Sequence, residues 1–223
     1  MTKAVALETG TADVASMPIR SPKRHWLVRS RAWISISLLA PFAIVGLLSP
    51  PVIQEQSTLD FGLDLLGWAI FAAGAGFRWW STFYIGSRKY WDLVTEGPYS
   101  VTRNPLYFGT FLIALSIAFF MHSLTFGLGM LLVAPFYLML TVSWEEACLR
   151  ERYGQRFDSY CQKVPRFWPR LANFQSPELI EVNTRGLRSE LTRAMRWMWV
   201  PMLAQAVSHL RDLPSWPTHF NFW

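Results

Sequence analysis

Between Trp33 and Ile53 the chain carries no ionisable side chain. At about 1.5 Å of rise per residue, such a run is long enough as a helix to cross a hydrocarbon layer about 30 Å thick. Three further apolar runs follow. Phe61 to Ile85 holds only Asp64 near its start and Arg78 near its end, and Gly67, Gly74 and Gly76 offer small surfaces for close helix packing. Leu106 to Met121 and Leu124 to Trp144 are separated by His122 and Ser123 alone, which predicts a tight helical hairpin. The third run is short, about 24 Å at helical rise. The expected fold class is an all-α integral membrane protein with four transmembrane helices, including the hairpin, and a cytoplasmic C-terminal helical region. Composition agrees: 52% of residues are hydrophobic and 16% charged, against roughly 25% charged in an average soluble domain.

The basic residues give this map a direction. Lys3, Arg20, Lys23, Arg24, Arg29 and Arg31 precede the first run, Arg88, Lys89 and Arg103 lie between the second and third, and the rest follow the fourth. The opposite loops, Gln54 to Asp60 and His122 with Ser123, contain no Lys or Arg. Apart from Arg78, the 21 basic residues therefore fall on one side, which the positive-inside rule makes cytoplasmic. The expected location is the inner or plasma membrane, with the N-terminus in the cytoplasm. The net charge of +6 reads as topology and contact with anionic lipid. Nucleic acid is not an expected partner, because the cations are spread beside spans instead of gathered on one stripe with aromatic residues.

Three regions follow from this. Residues 1–30 read as a disordered basic tail, 31–169 as the transmembrane domain, and 170–223 as a C-terminal extension. Within the extension, Leu191 to Leu213 mixes Trp197, Trp199 and Leu203 with Arg193, Arg196 and His209. It reads as an interfacial helix broken or kinked at Pro201, with a fifth span as the alternative. Cys148 and Cys161, 13 positions apart with no paired His, make neither a disulfide framework nor a zinc pattern, and no metal site is expected.

Two polar motifs flank the hairpin. In Glu96 to Gly109 (EGPYSVTRNPLYFG), Gly97 and Pro98 punctuate a turn, Asn104 is a natural helix N-cap, and Pro105 suits the first helical position. Arg103 is thereby held at a helix N-terminus, whose free amides and positive dipole attract an anion. A plain membrane re-entry with a snorkelling Arg explains the same residues.

In Trp144 to Pro169 (WEEACLRERYGQRFDSYCQKVPRFWP), Glu145 and Glu146 stand where the fourth run leaves the membrane. If the helix continues, Glu146, Leu149 and Tyr153 share one face and Gly154 caps it. Asp158 and Tyr160 then belong to a second short helix, and Val164 to Pro169 form a stiff, extended exit. A carboxylate at a membrane edge is costly without a partner, which marks the pair as a candidate site. The alternative is a solvated helix whose glutamates pair with Arg150 or Arg152.

Taken together the motifs resemble the isoprenylcysteine carboxyl methyltransferase and phospholipid methyltransferase group of integral membrane enzymes. The resembling residues are Gly97, Pro98, Tyr99, Arg103, Asn104, Pro105, Tyr107 and Gly109, then Glu145, Glu146, Leu149, Tyr153, Gly154, Tyr160, Val164, Pro165, Arg166 and Pro169. They cover about a third of the chain, and their order around a hairpin is more specific than either motif alone. The resemblance implies membrane helices whose cytoplasmic ends enclose S-adenosylmethionine, with the methyl acceptor entering from the bilayer. It places the Arg-Asn-Pro turn and the paired Glu in the cofactor pocket. Asn104 stands where prenylcysteine enzymes usually have His, which weakens the case for a prenylcysteine substrate. Phe157 stands where Tyr is frequent.

The residues suit that cofactor. Its amino-acid end carries an ammonium and a carboxylate; Glu145 or Glu146 can meet the first, and Arg103 with the amides after Asn104 the second. Tyr99, Tyr107, Tyr153 and Tyr160 can flank adenine or face the sulfonium. Pro105, Gly109 and Leu149 complete the expected cofactor set. Arg166, held between Pro165 and Phe167, is the candidate for orienting an anionic acceptor, and it joins Glu146 as an expected catalytic residue. Methyl transfer needs alignment and exclusion of water more than an acid or a base. The acceptor stays open among a lipophilic carboxylate, a thiol and a lipid amine. The runner-up readings are an NADPH-dependent sterol or fatty-chain reductase, which would use Arg150, Arg152 and Arg156 on the phosphates, and a non-enzymatic lipid-binding protein.

Overall fold

The apolar runs do become helices. The structure is a computed structural model that describes residues 26–50, 53, 57–85, 92–180, 182 and 184–219. Eight α-helices occur among these residues, with no strand: α1 (Trp26–Leu47), α2 (Thr58–Ile85), α3 (Pro98–Val101), α4 (Pro105–Phe120), α5 (Leu124–Tyr153), α6 (Gln155–Lys163), α7 (Thr184–Trp197) and α8 (Trp199–Arg211). A 3₁₀ turn lies at Leu171–Asn173. α2 and α5 are long and apolar enough to cross a membrane, whereas α4 and the Trp33–Leu47 part of α1 are apolar but shorter. Large apolar side chains such as Trp33, Phe61, Leu128 and Leu132 point outward from α1, α2 and α5. A water-facing surface would not carry so many on one bundle.

Several boundaries differ from expectation. α1 begins at Trp26, inside the stretch read as tail, and the remainder of that tail lies outside the described residues, as do Arg88 and Lys89. α1 also stops at Leu47, short of Ile53. Ser49 turns its hydroxyl back onto the Val45 carbonyl (2.7 Å), and Pro50 follows, which cannot continue the helix. α2 starts earlier than predicted because the Ser57 hydroxyl accepts from the Asp60 amide (3.1 Å), an N-cap placed ahead of the apolar run. α5 does not end with the apolar run at Trp144 but continues past Glu145 and Glu146 to Tyr153, where Gly154 (φ 50°) turns the chain into α6.

The predicted hairpin joins α4 to α5 through Met121, His122 and Ser123, with the Ser123 hydroxyl accepting from the Phe126 amide (3.3 Å). α2 and α4 form the most extensive helix pair. They touch at backbone distance: a Cβ on Gly109 would stand 2.6 Å from the Gly74 carbonyl oxygen, and one on Gly74 would stand 2.7 Å from that of Gly109. Near the other end, Gly67 receives the Phe120 ring, which also packs on Trp68 (centroids 5.1 Å apart). α1 lies along α5, where the Phe42 ring occupies the space over Gly129.

The C-terminal extension is where expectation needs most correction. The break falls at Met198, and Pro201 sits harmlessly in the first turn of α8. The segment is not confined to one end of the bundle. The Ser176 hydroxyl meets the Tyr84 hydroxyl (2.8 Å) at the end of α2 where the two motifs lie. α7 packs on α2 and α8 on α4. Beyond them, Gln205 meets Asp64, and Arg211 donates to the carbonyls of Met121 (2.6 Å) and Ser49 (2.8 Å) at the opposite end. The Trp216 indole N–H bonds the Leu47 carbonyl (2.8 Å). Arg211 therefore lies at the end of the bundle away from the two motifs, where it satisfies carbonyls left free as two helices end.

The Gly74–Gly109 contact yields a sharp test. Gly109→Ala should destabilise the detergent-solubilised protein by about 1–3 kcal/mol, the usual range for an overpacked interface. Gly76→Ala, two residues along α2 with nothing within 4 Å of the added carbon, should leave the thermal midpoint unchanged or slightly raised. Equal behaviour of the two variants would remove the backbone contact as an organising feature.

Candidate functional site

Gly97 sets the start of the site. Its φ of 59° and the Tyr84 ring, which a Cβ would approach to 2.3 Å, leave room only for glycine. The single turn of α3 follows. The segment from Gly97 to Asn104 is then laced to the exit after α6: the Arg103 amide donates to the Pro165 carbonyl (2.9 Å), the Thr102 hydroxyl to that of Phe167 (3.0 Å), the Arg170 amide to that of Val101 (3.0 Å), and the Gly97 amide to that of Gln175 (2.6 Å). The Tyr160 hydroxyl donates to the Tyr99 carbonyl (2.7 Å) from α6. Two stretches some sixty residues apart in sequence thus form one surface.

At its centre is Glu146, a buried carboxylate. Arg103 Nη1 lies 3.3 Å from its Oε1, and Arg166 Nε lies 3.2 Å from its Oε2. Asn104 Nδ2 donates to Oε1 (3.3 Å) and to the Arg166 carbonyl (3.1 Å). Asn104 does occupy the N-cap position of α4 with Pro105 at N1, but its side chain makes no capping bond. It is spent on the carboxylate instead, so the free amides of the first turn of α4 stay uncapped. Arg166 is further held by the Ser143 hydroxyl (2.7 Å), one helical turn before Glu146 on α5. For Glu146 the solvated pairing with Arg150 does not form: Arg150 pairs with Asp158 (2.7 Å), and Glu146 faces inward.

The other expected residues divide into two groups. Tyr99 is buried, with no hydrogen-bond partner for its hydroxyl, and lies within electrostatic reach of Glu145, Tyr107 and Arg78. Tyr99 and Tyr160, joined through the Tyr99 carbonyl, lie on the same laced surface as Glu146. Gly109 does not; it serves the α2–α4 contact. Leu149 and Tyr153 pack against the Leu93, Phe157, Tyr160 and Val164 cluster that fixes α6, so their part is structural. Burial pushes the Tyr99 and Tyr160 phenols above their ordinary range, so both keep their protons.

Three residues escaped the sequence reading. Cys161 Sγ accepts from Arg103 Nη1 (2.9 Å), Ser143 holds Arg166, and Arg78 reaches from α2 to the Thr110 hydroxyl (2.6 Å). Only Ser143 gave a local signal, its i−3 spacing from Glu146. Arg103 Nε remains buried without a hydrogen-bond partner. Two guanidiniums thus share the one buried carboxylate of Glu146, beside the N-terminus of α4.

The chain belongs to the phospholipid methyltransferase family, whose sequence model matches residues 63–156. It is 32% identical over 199 residues to the nickel-cobalt-cadmium resistance protein NccN of Alcaligenes xylosoxydans xylosoxydans, covering 89% of this chain and 92% of that one. It is 25% identical over 156 residues to the cobalt-zinc-cadmium resistance protein CzcN of Cupriavidus metallidurans, covering 70% of each. No solved structure matches significantly.

Removing the central charge should be costly. Glu146→Gln leaves two arginines facing each other without an anion, and a loss of about 3–5 kcal/mol is expected in a thermal or denaturant melt. Arg150→Ala, which breaks an exposed pair, should leave the melt unmoved. The tyrosines add a pH signature. Because their pKa values are raised in the fold, the stability they confer is complete below about pH 10, the ordinary phenol value, and falls as pH rises through the raised values. Tyr160→Phe should blunt that alkaline decline, and an unchanged pH profile would count against the buried phenol.

Proposed function

We propose that the protein is an integral membrane methyltransferase that uses S-adenosylmethionine, with the Glu146 cluster as the cofactor's amino-acid pocket. The observation that carries this reading is that two guanidiniums share the one carboxylate of Glu146 next to buried donors without hydrogen-bond partners, Arg103 Nε and the Tyr99 hydroxyl among them. These are the groups a carboxylate needs. Glu146 is occupied by its arginines, so Glu145 is the carboxylate left to meet an ammonium. When bound, the cofactor supplies a methyl group on a sulfonium. The chain's own work is to fix charge and exclude water: Glu146 holds Arg103 and Arg166 apart at set positions, and the Val164–Pro169 exit closes over the Arg103 turn.

In this reading four helices span the bilayer, with the Glu146 end in the cytoplasm. The acceptor is a lipophilic molecule bearing a carboxylate, thiol or amine. A crevice of about 180 Å³ between α1, α4 and α5, lined by Leu39, Thr110, Ala114, Val133 and Tyr137, offers an apolar chain a place beside the site. Arg166, half-exposed, orients an anionic acceptor. Two relatives carry the name of metal-resistance proteins, and in this reading the methylation serves resistance to divalent metal ions.

Tyr99→Phe tests the pocket without disturbing the fold, because it removes a hydroxyl that bonds nothing in the protein. Calorimetric titration of purified protein should show micromolar S-adenosylmethionine binding, weakened about tenfold in the variant, the worth of one hydrogen bond near 1.4 kcal/mol. The melting midpoint should be unaltered. Binding of NADPH instead, or equal affinity in the variant, would overturn the assignment. Transfer of labelled methyl to total membrane lipid or thiol extracts identifies the acceptor.

A further inference from the structure

The end of the bundle away from Glu146 holds a second polar centre. His122, in the α4–α5 turn, stands between Asp60 and Asp64 of α2, with its ring nitrogens 3.2 and 3.3 Å from one oxygen of each. α8 closes this centre: Gln205 meets the other oxygen of Asp64, the Ser208 hydroxyl lies 3.5 Å from the His122 ring, and Arg211 donates to the carbonyls of Met121 and Ser49. The chain that arrives here comes from the Glu146 end, where Ser176 meets Tyr84. Tyr84 and Asp64 lie on one helix, α2, twenty positions apart, which is about 30 Å at helical rise and matches the thickness of a hydrocarbon layer.

α7 and α8 cover that distance without a loop. Met198, between them, keeps helical angles (φ −61°, ψ −27°), and the pair occupies residues 184–211, the same 28-residue length as α2. A segment that crosses lipid has to pair its backbone groups within itself, and a helix does so. The faces of this pair differ. Pro201, Ala204, Ser208 and Arg211 are buried against the bundle. Leu191, Met195, Trp199, Met202, Leu203 and Leu210 are exposed along one stripe. From Leu191 to Leu210 the stripe is about 29 Å long. Arg185 and Arg188, exposed at the start of α7, precede it at the Glu146 end, and no Lys or Arg occurs beyond it between Asp212 and Trp223. That is the gradient of a lipid-facing helix with its basic residues on one side of the membrane. Arg193 and Arg196 fall within the first third of the stripe's length, a depth from which a long side chain snorkels to the headgroups.

We propose that α7 and α8 together form a fifth passage through the bilayer, beside the four single-helix spans, and that the partner of their outer face is lipid: acyl chains along Leu191–Leu210 and anionic headgroups at Arg185 and Arg188. The residues after α8 then lie on the side opposite Glu146, whereas an interfacial helix would leave Ser176 and Arg211 on the same side. The proposal rests on reading α1, α2, α4 and α5 as spans and is independent of methyl transfer.

The test is cysteine labelling of the full-length protein in the inner membrane of bacterial spheroplasts, in a background with Cys148→Ser and Cys161→Ser, where serine keeps an acceptor for Arg103. Single cysteines are placed at exposed positions: Glu178→Cys at the Glu146 end, Thr58→Cys at the start of α2, and Ser215→Cys after α8. A membrane-impermeant maleimide added outside should label Ser215→Cys and Thr58→Cys alike and leave Glu178→Cys untouched until the membranes are opened. Leu203→Cys, in the stripe, should resist the reagent even then and react only after denaturation. Ser215→Cys on the same side as Glu178→Cys, with Thr58→Cys on the other, overturns the fifth passage and leaves the four spans standing. Glu178→Cys and Thr58→Cys on one side overturns the spans themselves, and the proposal with them. Reaction of Leu203→Cys in opened membranes puts water on the stripe, and oxidative cross-linking of that variant into a covalent dimer puts a second copy there; either result overturns lipid as the partner. If Ser215→Cys does not fold, Thr218→Cys, also exposed, takes its place.

Discussion

Withdrawing a carboxylate from water costs several kcal/mol unless its lone pairs are met by well-placed donors. Glu146 is withdrawn at the end of α5, and its donors come from two other places: Arg103 and Asn104 from the entry to α4, and Arg166 from the exit after α6. None of those positions could be reached if α5 ended where the apolar run ends. The helix must continue beyond that run, turn at Gly154, and send the exit back across the Arg103 turn. One buried charge thus dictates the path of some twenty residues. The lacing of Thr102, Arg103 and Val101 to Arg170, Pro165 and Phe167 follows as the backbone satisfying itself along that path.

The same logic governs the other end. Helices α1 and α4 leave carbonyls free at Ser49 and Met121, and Arg211 of α8 fills both. Between the two polar ends, packing is by close approach and aromatic fill, through Gly74 on Gly109, Gly67 under Phe120, and Gly129 under Phe42. Small residues are the means by which helices associate where no hydrophobic gain is available from leaving lipid. α4, 16 residues long, connects the two ends at about 24 Å of helical rise.

What could be read from the sequence was whatever a single segment decides for itself. The apolar runs, the tight hairpin and the stop at Gly154 are local patterns, whereas the meeting of Glu146 with Arg103 was expected only from the family resemblance. What could not be read depends on partners distant in the chain. Asn104 has every local reason to cap α4, and that preference loses to a carboxylate 42 positions away. Gly109 lies in the motif but faces Gly74, not the site. Cys161 was weighed for disulfide and zinc spacing, while its thiol answers to Arg103, 58 positions distant. The route of α7 and α8 was hidden for the same reason, since its anchors are Tyr84, Asp64, Met121 and Ser49.

That division bears on how the two polar centres came to be told apart. Arg103 and Glu146 announce themselves because they interrupt apolar sequence with charge beside glycine and proline. His122 and Asp64 do not: one reads as a hairpin linker and the other as a lone acid near the start of a span, 58 positions before it. Only folding α2 antiparallel to α4 brings the first turns of one against the last turn of the other, and only α8 seals them from solvent. Asp60 lies four residues before Asp64 on the same helix face, so an acid at each position reaches the turn, one to either edge of the imidazole. A polar pair so placed is buried by the same antiparallel packing that keeps Gly74 against Gly109, and any change that separates α2 from α4 would open both ends together.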